Sequence, residues 1–558
     1  MRAHRRLVCC VLVVVSVLFW NWTLPSQAPA PEAVFYNGRF ITEHTGGPRA
    51  EAVAIRDGRF VAVGGSAEVR ALAGPATRQV DLRGQTVVPG LADNHFHSIG
   101  GGPGVDLSRA RSLDDVLAAI RARAAATPAG QVIVTNSDWH EGQLKEQRLP
   151  YRSDLDSAAP DHPLVVVRGG HEYILNSAAL LKWTITEKTP EPAGGSIGRD
   201  KDGRLNGELV DRAKNLVSLP PPAKIDREQT IKDLVAEHRR LNEAGLTGIR
   251  YAGISPEMLN VLREMARRKL LTVRVNALLR VTSADNLDGQ LAAFAAKQDD
   301  GDEWLRVGGI KLVVDGGFEG GWMREPYEEP WGKNGTFRGL QTFATEPYTR
   351  VVRALNQRGW RVATHAVGDA AIDLVLEAYE AADRDATIAG KRWSIEHGFL
   401  PRADQLPRMK KLGVVVSAQN HLYLAAPSLK NYWGASRAAR VTPMRTYIDA
   451  GIPVSTGTDS AVVPYPPFWT LYHFITRDTI SGGVMGPDQR ITREEALGAA
   501  TLGNAYLTFE ERSRGSIEEG KLADFIVLAK DFLTCSEKDI ESMTVLTTAV
   551  GGQVVFSR

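Results

Sequence analysis

The chain has 558 residues, 43% of them hydrophobic and 24% charged, which is long enough for more than one domain, since single cores stop growing near roughly 250 to 300 residues. The formal charge is +2; residues 1–28 hold three of the 67 basic residues and no acid, leaving 64 basic against 65 acidic side chains in the remainder. That balance excludes nucleic acid or an anionic membrane surface as the main partner.

The chain opens on "MRAHRRLVCCVLVVVSVLFW", where Arg2, Arg5 and Arg6 precede an apolar run over 7–20. That run is short for a membrane span and has the length of a signal-peptide core. The text "SQAPA" offers cleavage after Ala28, whereas Pro29 directly after the bond disfavours it. Residues 1–30 are therefore expected to be a signal peptide or an uncleaved signal anchor with a linker. In both cases the body is exported, to the periplasm or beyond, with membrane contact only through this segment. Cys9 and Cys10 lie inside it and leave Cys535 alone in the body, which excludes an intramolecular disulfide or a thiolate zinc cluster there.

Next come "APAPEAVFYNGRFIT" and "AVAIRDGRFVAVG", the second with an Asp57-Gly58 hairpin signal, and the far end repeats the idiom in "GSIEEGKLADFIVLAKD" and "TTAVGGQVVFSR". These runs predict a small β-sandwich assembled from residues 33–85 and 512–558. Between them, over 86–511, short β-branched runs alternate with helical segments, the pattern of repeated βα units. Eight strands are expected, over 86–93, 246–253, 272–279, 308–316, 361–368, 392–398, 413–419 and 452–459. Eight fit an α/β fold of the (β/α)8 TIM-like barrel type. The first gap is too long for one helix, so an insertion over about 103–235 is expected, with its own strands "QVIVTNSD" and "PLVVVRGG".

At the carboxyl ends of these strands stand His95 and His97 in "DNHFH", then Lys311, His365, His397 and Asp459. In a barrel those ends share one mouth, where active sites of this architecture sit. Taken singly, each residue has a structural reading: a hydrogen-bonded strand-end histidine, Lys311 paired with Asp315 on one strand face, Asp459 in a turn before Ser460. Taken jointly, imidazoles and a carboxylate form the donor set of a divalent, zinc-like ion with an open position for water. Such an ion makes a water acidic near neutral pH and supplies a nucleophile without serine or cysteine; Asp459 would take the proton and pass it to a leaving amine. Lys311 is awkward as a cation beside metal, but its carbamate, formed with carbon dioxide, would bridge two ions. One or two ions therefore both stand.

Weaker candidates for substrate contact are His171 and Asn176 in "GGHEYILNS", Trp322 and Arg324 after the fourth strand, and His421 in "QNHLYL". His140, Trp139 and Tyr327 are further residues expected near the mouth, and His238 reads as part of a helix face.

The texts "VVPGLADNHFH", "IKLVVDGG", "THAVGDAAID", "SIEHG" and "STGTDS", with "GHEYILNSAAL" and "GSIEEGKLADFIVL" around them, resemble the amidohydrolase superfamily in its family 3 branch, which includes N-substituted formamide deformylases. The resemblance spans the chain beyond residue 33. It implies that His95 and His97 hold the more buried metal, that His365 and His397 hold the second, and that Asp459 is ligand and general base, with a carboxylated Lys311 as bridge. The run "GGFEGGWMREPY" departs from the family's usual text and leaves the substrate open. The implied activity is metal-dependent hydrolysis of a carbon–nitrogen bond in a small non-peptide amide, formamide or cyclic amide; a homo-oligomer is compatible with it. Two alternatives are a catalytically idle barrel with a binding or regulatory role and a hydrolase of esters. The first would be expected to have lost ligands, and all six positions are filled.

Overall fold

A computed structural model describes residues 29–42, 50–220 and 226–558. The apolar run over 7–20, with Cys9, Cys10 and the cleavage point after Ala28, lies outside the described residues. Among the described residues, no helix is long and apolar enough to cross a membrane.

Eight parallel strands form one sheet: β1 (Leu91–Phe96), β2 (Leu246–Ile254), β3 (Arg274–Arg280), β4 (Leu305–Val313), β5 (Val362–Ala366), β6 (Ser394–His397), β7 (Val415–Gln419) and β8 (Val454–Gly457). They are hydrogen-bonded in that order. Every residue of β1, β5, β6 and β7 is buried, because side chains fill the inside and helices cover the outside. That is why these strands read as continuous apolar runs and not as alternating ones. The last strand returns to the first: the Asp459 N–H donates to the His95 carbonyl at 2.8 Å, and the His97 N–H to the Ser460 carbonyl at 2.8 Å. The seam of the barrel is thus stitched at the residues expected to carry the chemistry. Helices of the outer ring include Arg227–Glu243, capped by the Asp226 carboxylate, and Pro256–Arg267, capped by the Ser255 hydroxyl.

The first expected strand proves to be two. Thr86–Pro89 pairs antiparallel with Phe525–Leu528 in a separate sheet, and the chain passes Gly90 before β1 begins at Leu91. That separate sheet runs Arg39–Phe40, Thr86–Pro89, Phe525–Leu528, Val545–Val550 and Gln553–Ser557; a four-stranded sheet joins Arg59–Gly64, Ala52–Arg56, Ala33–Tyr36 and Arg78–Asp81. Their shared core holds Phe35, Phe40, Phe60 and Phe525, with Phe35 and Phe525 edge to face at 5.0 Å. Each such buried side chain contributes about 1.5–3 kcal/mol. A buried ion pair ties this unit to the barrel, Arg274 at the head of β3 holding Asp524 at 2.6 and 2.9 Å.

The chain leaves β1 through Gly100, Gly101 and Gly102, with φ of +90°, +83° and +138°, a path side chains with a Cβ rarely take. The segment up to residue 220 then builds a five-stranded sheet in the order Gly195–Arg199, Leu205–Asp211, Glu172–Leu175, Leu164–Arg168, Ile133–Val134. It reaches over the barrel mouth, where Arg168 and His171 share a cavity with barrel residues.

Candidate metal centre

His95, His97 and Asp459 form one group of donor atoms within 4.8 Å of one another, and His397, His421 and Asp459 form a second. Asp459 joins them. Its Oδ1 lies 3.1 Å from His97 Nε2 and 3.6 Å from His95 Nε2, and its Oδ2 lies 3.0 Å from His421 Nε2. Burial alone would raise the Asp459 pKa, but His95, His421 and His97 hold the carboxyl well below its usual range. The rings of His365 and His397 lie 4.5 Å apart and those of His95 and His397 4.7 Å apart. His365 stands outside both groups because its Nε2 is 3.1 Å from the Gly316 carbonyl.

The donor set fits a divalent ion. Burial, with Lys311 beside it, lowers the His95 pKa to about 4; burial and neighbouring histidines put His365 and His397 well below the ordinary value. Neutral imidazole is the ligating form. The Nδ1 atoms of His397 and His421 are buried without a partner, a costly state for nitrogens that have nothing to bind. Lys311, 2% exposed, has its pKa lowered to about 8 by burial, against the pull of Glu396 and Asp459. Its Nζ lies 3.3 Å from His95 Nε2. The alternative pairing of Lys311 with Asp315 is absent. Asp315 is taken by the N–H groups of Trp322, Val367 and Gly368, and burial raises its pKa to about 8.

Behind His95 stands a residue that sequence reasoning passed over. Glu396 Oε2 lies 2.7 Å from His95 Nδ1, and Arg250 Nη1 donates to Glu396 at 3.0 and 3.1 Å. Burial opposes the Glu396 charge, but Arg250, His95 and Lys311 hold its pKa well below the usual value. A carboxylate on the far ring nitrogen fixes the tautomer and leaves Nε2 for the metal. Glu396 stands directly before His397, and in an extended strand the two would face opposite ways. A φ of +74° at His397 breaks that alternation, so both reach the interior. Glu396→Gln is expected to weaken metal affinity by about 10–100-fold, read by competition with a chelator; unchanged affinity would reduce Glu396 to a packing residue.

The other candidates separate clearly. His171 lines the cavity above the histidines, its ring tilted against that of His365 at 5.3 Å. Its Nδ1 is 2.7 Å from Asp211 Oδ1, and Asp211 raises its pKa against the effect of burial. His421, weighed from sequence only as a substrate contact, reaches Asp459 itself. Asn176 is not at the mouth: it caps helix Ser177–Lys182, accepting from Leu164 and Ala179 N–H and donating to the Ala159 and His162 carbonyls. Arg324 is committed to Asp373 and Asp404, and Trp322 packs against the barrel core. Tyr327 donates to the Phe318 and Gly321 carbonyls, Trp139 to the Val167 carbonyl, and the His140 Nδ1 accepts from Gly142 N–H. His238 is a buried core histidine held neutral, its pKa lowered to about 4 by burial.

Comparison with known proteins settles the family. Residues 78–556 match the model of the amidohydrolase family. The chain belongs to the amidohydrolase family. It is 30% identical to the N-substituted formamide deformylase of Arthrobacter pascens, over 91% of this chain and 95% of that one. It is 28% identical to the protein LONG AFTER FAR-RED 3 of Arabidopsis thaliana, over 98% and 95%. A metal-dependent hydrolase of Pyrococcus furiosus superposes with a TM-score of 0.65 at 25% identity, covering 90% of this chain and all of that one. The amidohydrolase is thus a metal-dependent hydrolase on a (β/α)8 barrel. The histidine and aspartate groups at its mouth form a candidate donor set that fits a divalent ion.

Proposed function

We propose that this amidohydrolase cleaves the carbon–nitrogen bond of a small non-peptide amide, with a formyl or similarly small acyl group, and that its metal is zinc. The observation that carries this reading is the position of Asp459, whose two carboxylate oxygens face the two groups of histidine nitrogens. His95, His97 and Asp459 would hold one ion; a second would be held at His397 beside Asp459, with a carboxylated Lys311 as bridge and His365 joining only on turning its Nε2 from the Gly316 carbonyl. A divalent ion bound there supplies Lewis acidity toward the carbonyl oxygen and a water acidic near neutral pH. Asp459 accepts the proton of the attacking water and returns it to the leaving nitrogen, and His421, 3.0 Å from Oδ2, keeps the carboxylate in place for both transfers.

The acyl side is limited by space. The cavity over the histidines measures about 30 Å³ and is walled by Phe318, Phe399, Val367 and Val462, room for a few heavy atoms at most, given about 10–15 Å³ for one water. The name of the Arthrobacter pascens relative agrees with a formyl group. The basic start and apolar run before residue 28 support an exported enzyme; activity confined to the cytosolic fraction would overturn that part.

Metal removal and a substrate screen test the reading together. Dialysis against a chelator is expected to remove more than about 90% of activity and to lower the melting temperature, with zinc restoring both. Reconstituted enzyme is then offered N-formyl amines, N-acyl amines, hydantoin-like rings and simple esters. Turnover of formyl amines is the expected result. Turnover of esters alone, or full activity and stability without metal, overturns the proposal.

A further inference from the structure

A second, larger cavity of about 870 Å³ lies between the insertion sheet and the loop that follows β4. Strand register fixes which residues form its floor. Glu172 stands opposite Arg168 on one neighbouring strand and opposite Val210 on the other, and Val210 stands opposite Ser196. Residues directly opposite share a face of the sheet, and Glu208, two positions from Val210, points the same way. Ser196, Glu208 and Val210 line the cavity, so Glu172 belongs to the same floor. Gly198 leaves room there, since a Cβ at that position would stand 2.7 Å from Glu208 Oε2. From the loop side comes Glu319, which lines both this chamber and the small cavity over the histidines.

Glu172 is fully buried, and neither of its carboxylate oxygens has a hydrogen-bond partner. Glu319 is 5% exposed; its Oε2 accepts from Arg168 Nη1 at 3.0 Å, and its Oε1 has no partner. Glu208, 9% exposed, accepts from Asn206 Nδ2 at 3.1 Å. Arg168 is already committed, because Glu141 takes its Nε and Nη2 at 2.9 and 2.7 Å, while Glu172 lies 3.5 Å from Nε. Glu141, Glu172, Glu208 and Glu319 thus set four carboxylates against one guanidinium. The other cations of the wall do not redress this. Lys333 donates to Glu191 and Ser196, Arg199 to the Gly203 and Glu187 carbonyls, and among the described residues Arg152 makes no ion pair. A buried carboxylate without a counter-charge or a donor is costly, and such an orphan marks the place of an ion or a proton. Burial pushes the Glu172 pKa well above the carboxylate range against the pull of Arg168, and Glu208 and Glu319 push it further, so its charged form calls for a cation.

We propose that this chamber holds a divalent cation of the calcium type, bound by the carboxylates of Glu172 and Glu208 and, through water, by Glu319. The ion ties the insertion sheet to the loop after β4 and is separate from the metal centre at the barrel mouth. Its two positive charges offset most of the acid excess. The donors are carboxylate oxygens, which suit a hard cation. They do not gather as tightly as the histidine and aspartate donors at the mouth. Calcium takes about six to eight oxygens in flexible geometry and keeps waters among them, whereas zinc wants a tight tetrahedron and magnesium a near-ideal octahedron. The inference holds whatever bond the enzyme cleaves.

Calorimetry of calcium binding to the zinc-loaded protein tests the site without turnover. About one calcium per chain is expected, with a Kd between about 10⁻⁵ and 10⁻³ M, and the melting temperature is expected to rise with calcium concentration. Glu208→Gln and Glu172→Gln are each expected to weaken calcium binding about tenfold or more, since affinity follows the number of charged ligands. Unchanged zinc content in both variants shows that the metal centre is intact. In calcium-free buffer Glu172→Gln is expected to melt no lower than wild type, because it removes a buried carboxylate that nothing balances; this separates a lost ligand from a failure to fold. Absence of calcium binding to wild type leaves Glu172 neutralised by a proton and overturns the inference. Equal calcium affinity in wild type and both variants, or a magnesium affinity equal to that for calcium, overturns it as well.

Discussion

Asp459→Asn is expected to lower kcat/KM by about 10³- to 10⁴-fold, the upper range for loss of a general acid–base group, with a melting temperature no lower than that of the chelated wild type. Asparagine is the informative replacement. Asp459 has a φ of +63°, a left-handed conformation that asparagine tolerates and alanine does not, so the amide keeps the backbone while losing charge and basicity. The surrounding His95, His421 and His97 hold the native carboxyl ionised, which is the state needed to ligate metal and to take a proton. An amide does neither well, so zinc content is expected to fall along with turnover. Assays with an N-formyl amine and elemental analysis of the purified variant give the two readouts. Residual activity above about one-tenth of wild type would remove Asp459 from the proton transfers, since such groups contribute at least about 10²-fold.

Lys311→Ala is expected to halve the metal content and to cost several kcal/mol of transition-state stabilisation, which at about 1.4 kcal/mol per tenfold is roughly 10²- to 10³-fold in rate. Lys311 is buried, its pKa is lowered to about 8, and it is 3.3 Å from His95 Nε2. An unmodified ammonium there would repel the ions that the histidines attract. In the proposed carboxylated form the neutral amine would have attacked carbon dioxide and lost one proton, and the resulting carbamate would replace that repulsion by oxygen donors. Metal-free protein reloaded with zinc in carbon dioxide-free buffer is therefore expected to recover less activity than protein reloaded with bicarbonate. Lys311→Ala should show no such difference. Unchanged metal content in the variant, with equal recovery in both buffers, would leave Lys311 as an unmodified cation and the site mononuclear.

The barrel was legible because its strands are buried on both faces, so each leaves an apolar run, and the first, fourth, fifth, sixth and eighth carry a metal-capable residue at the carboxyl end. His95 and His97 could be read as a pair from strand alternation alone. Glu396 could not, because alternation turns it away from His397 and only the backbone conformation at His397 brings both inward. His421 looked like a loop residue beyond the seventh strand, and nothing local shows that its Nε2 meets Asp459. The first strand was read as one element because "TVVPGLAD" is continuously apolar. Its division at Gly90 depends on Phe525–Leu528, which is more than 400 residues away in sequence.

Sequence alone determined the identity and order of the groups at the barrel mouth, since strand period and βα alternation place them there whatever the side chains touch. Only the tertiary structure decided which of them meet. It gave Asp459 to both histidine groups and turned His365 toward the Gly316 carbonyl. It also removed Asn176 and Arg324 to capping and ion pairs, and set the open Glu319 oxygen between two cavities. The physical reason is that burial and partner choice depend on segments far apart in the chain. The desolvation that neutralises His95 and lowers the Lys311 pKa exists only once the barrel has closed and the insertion has covered its mouth.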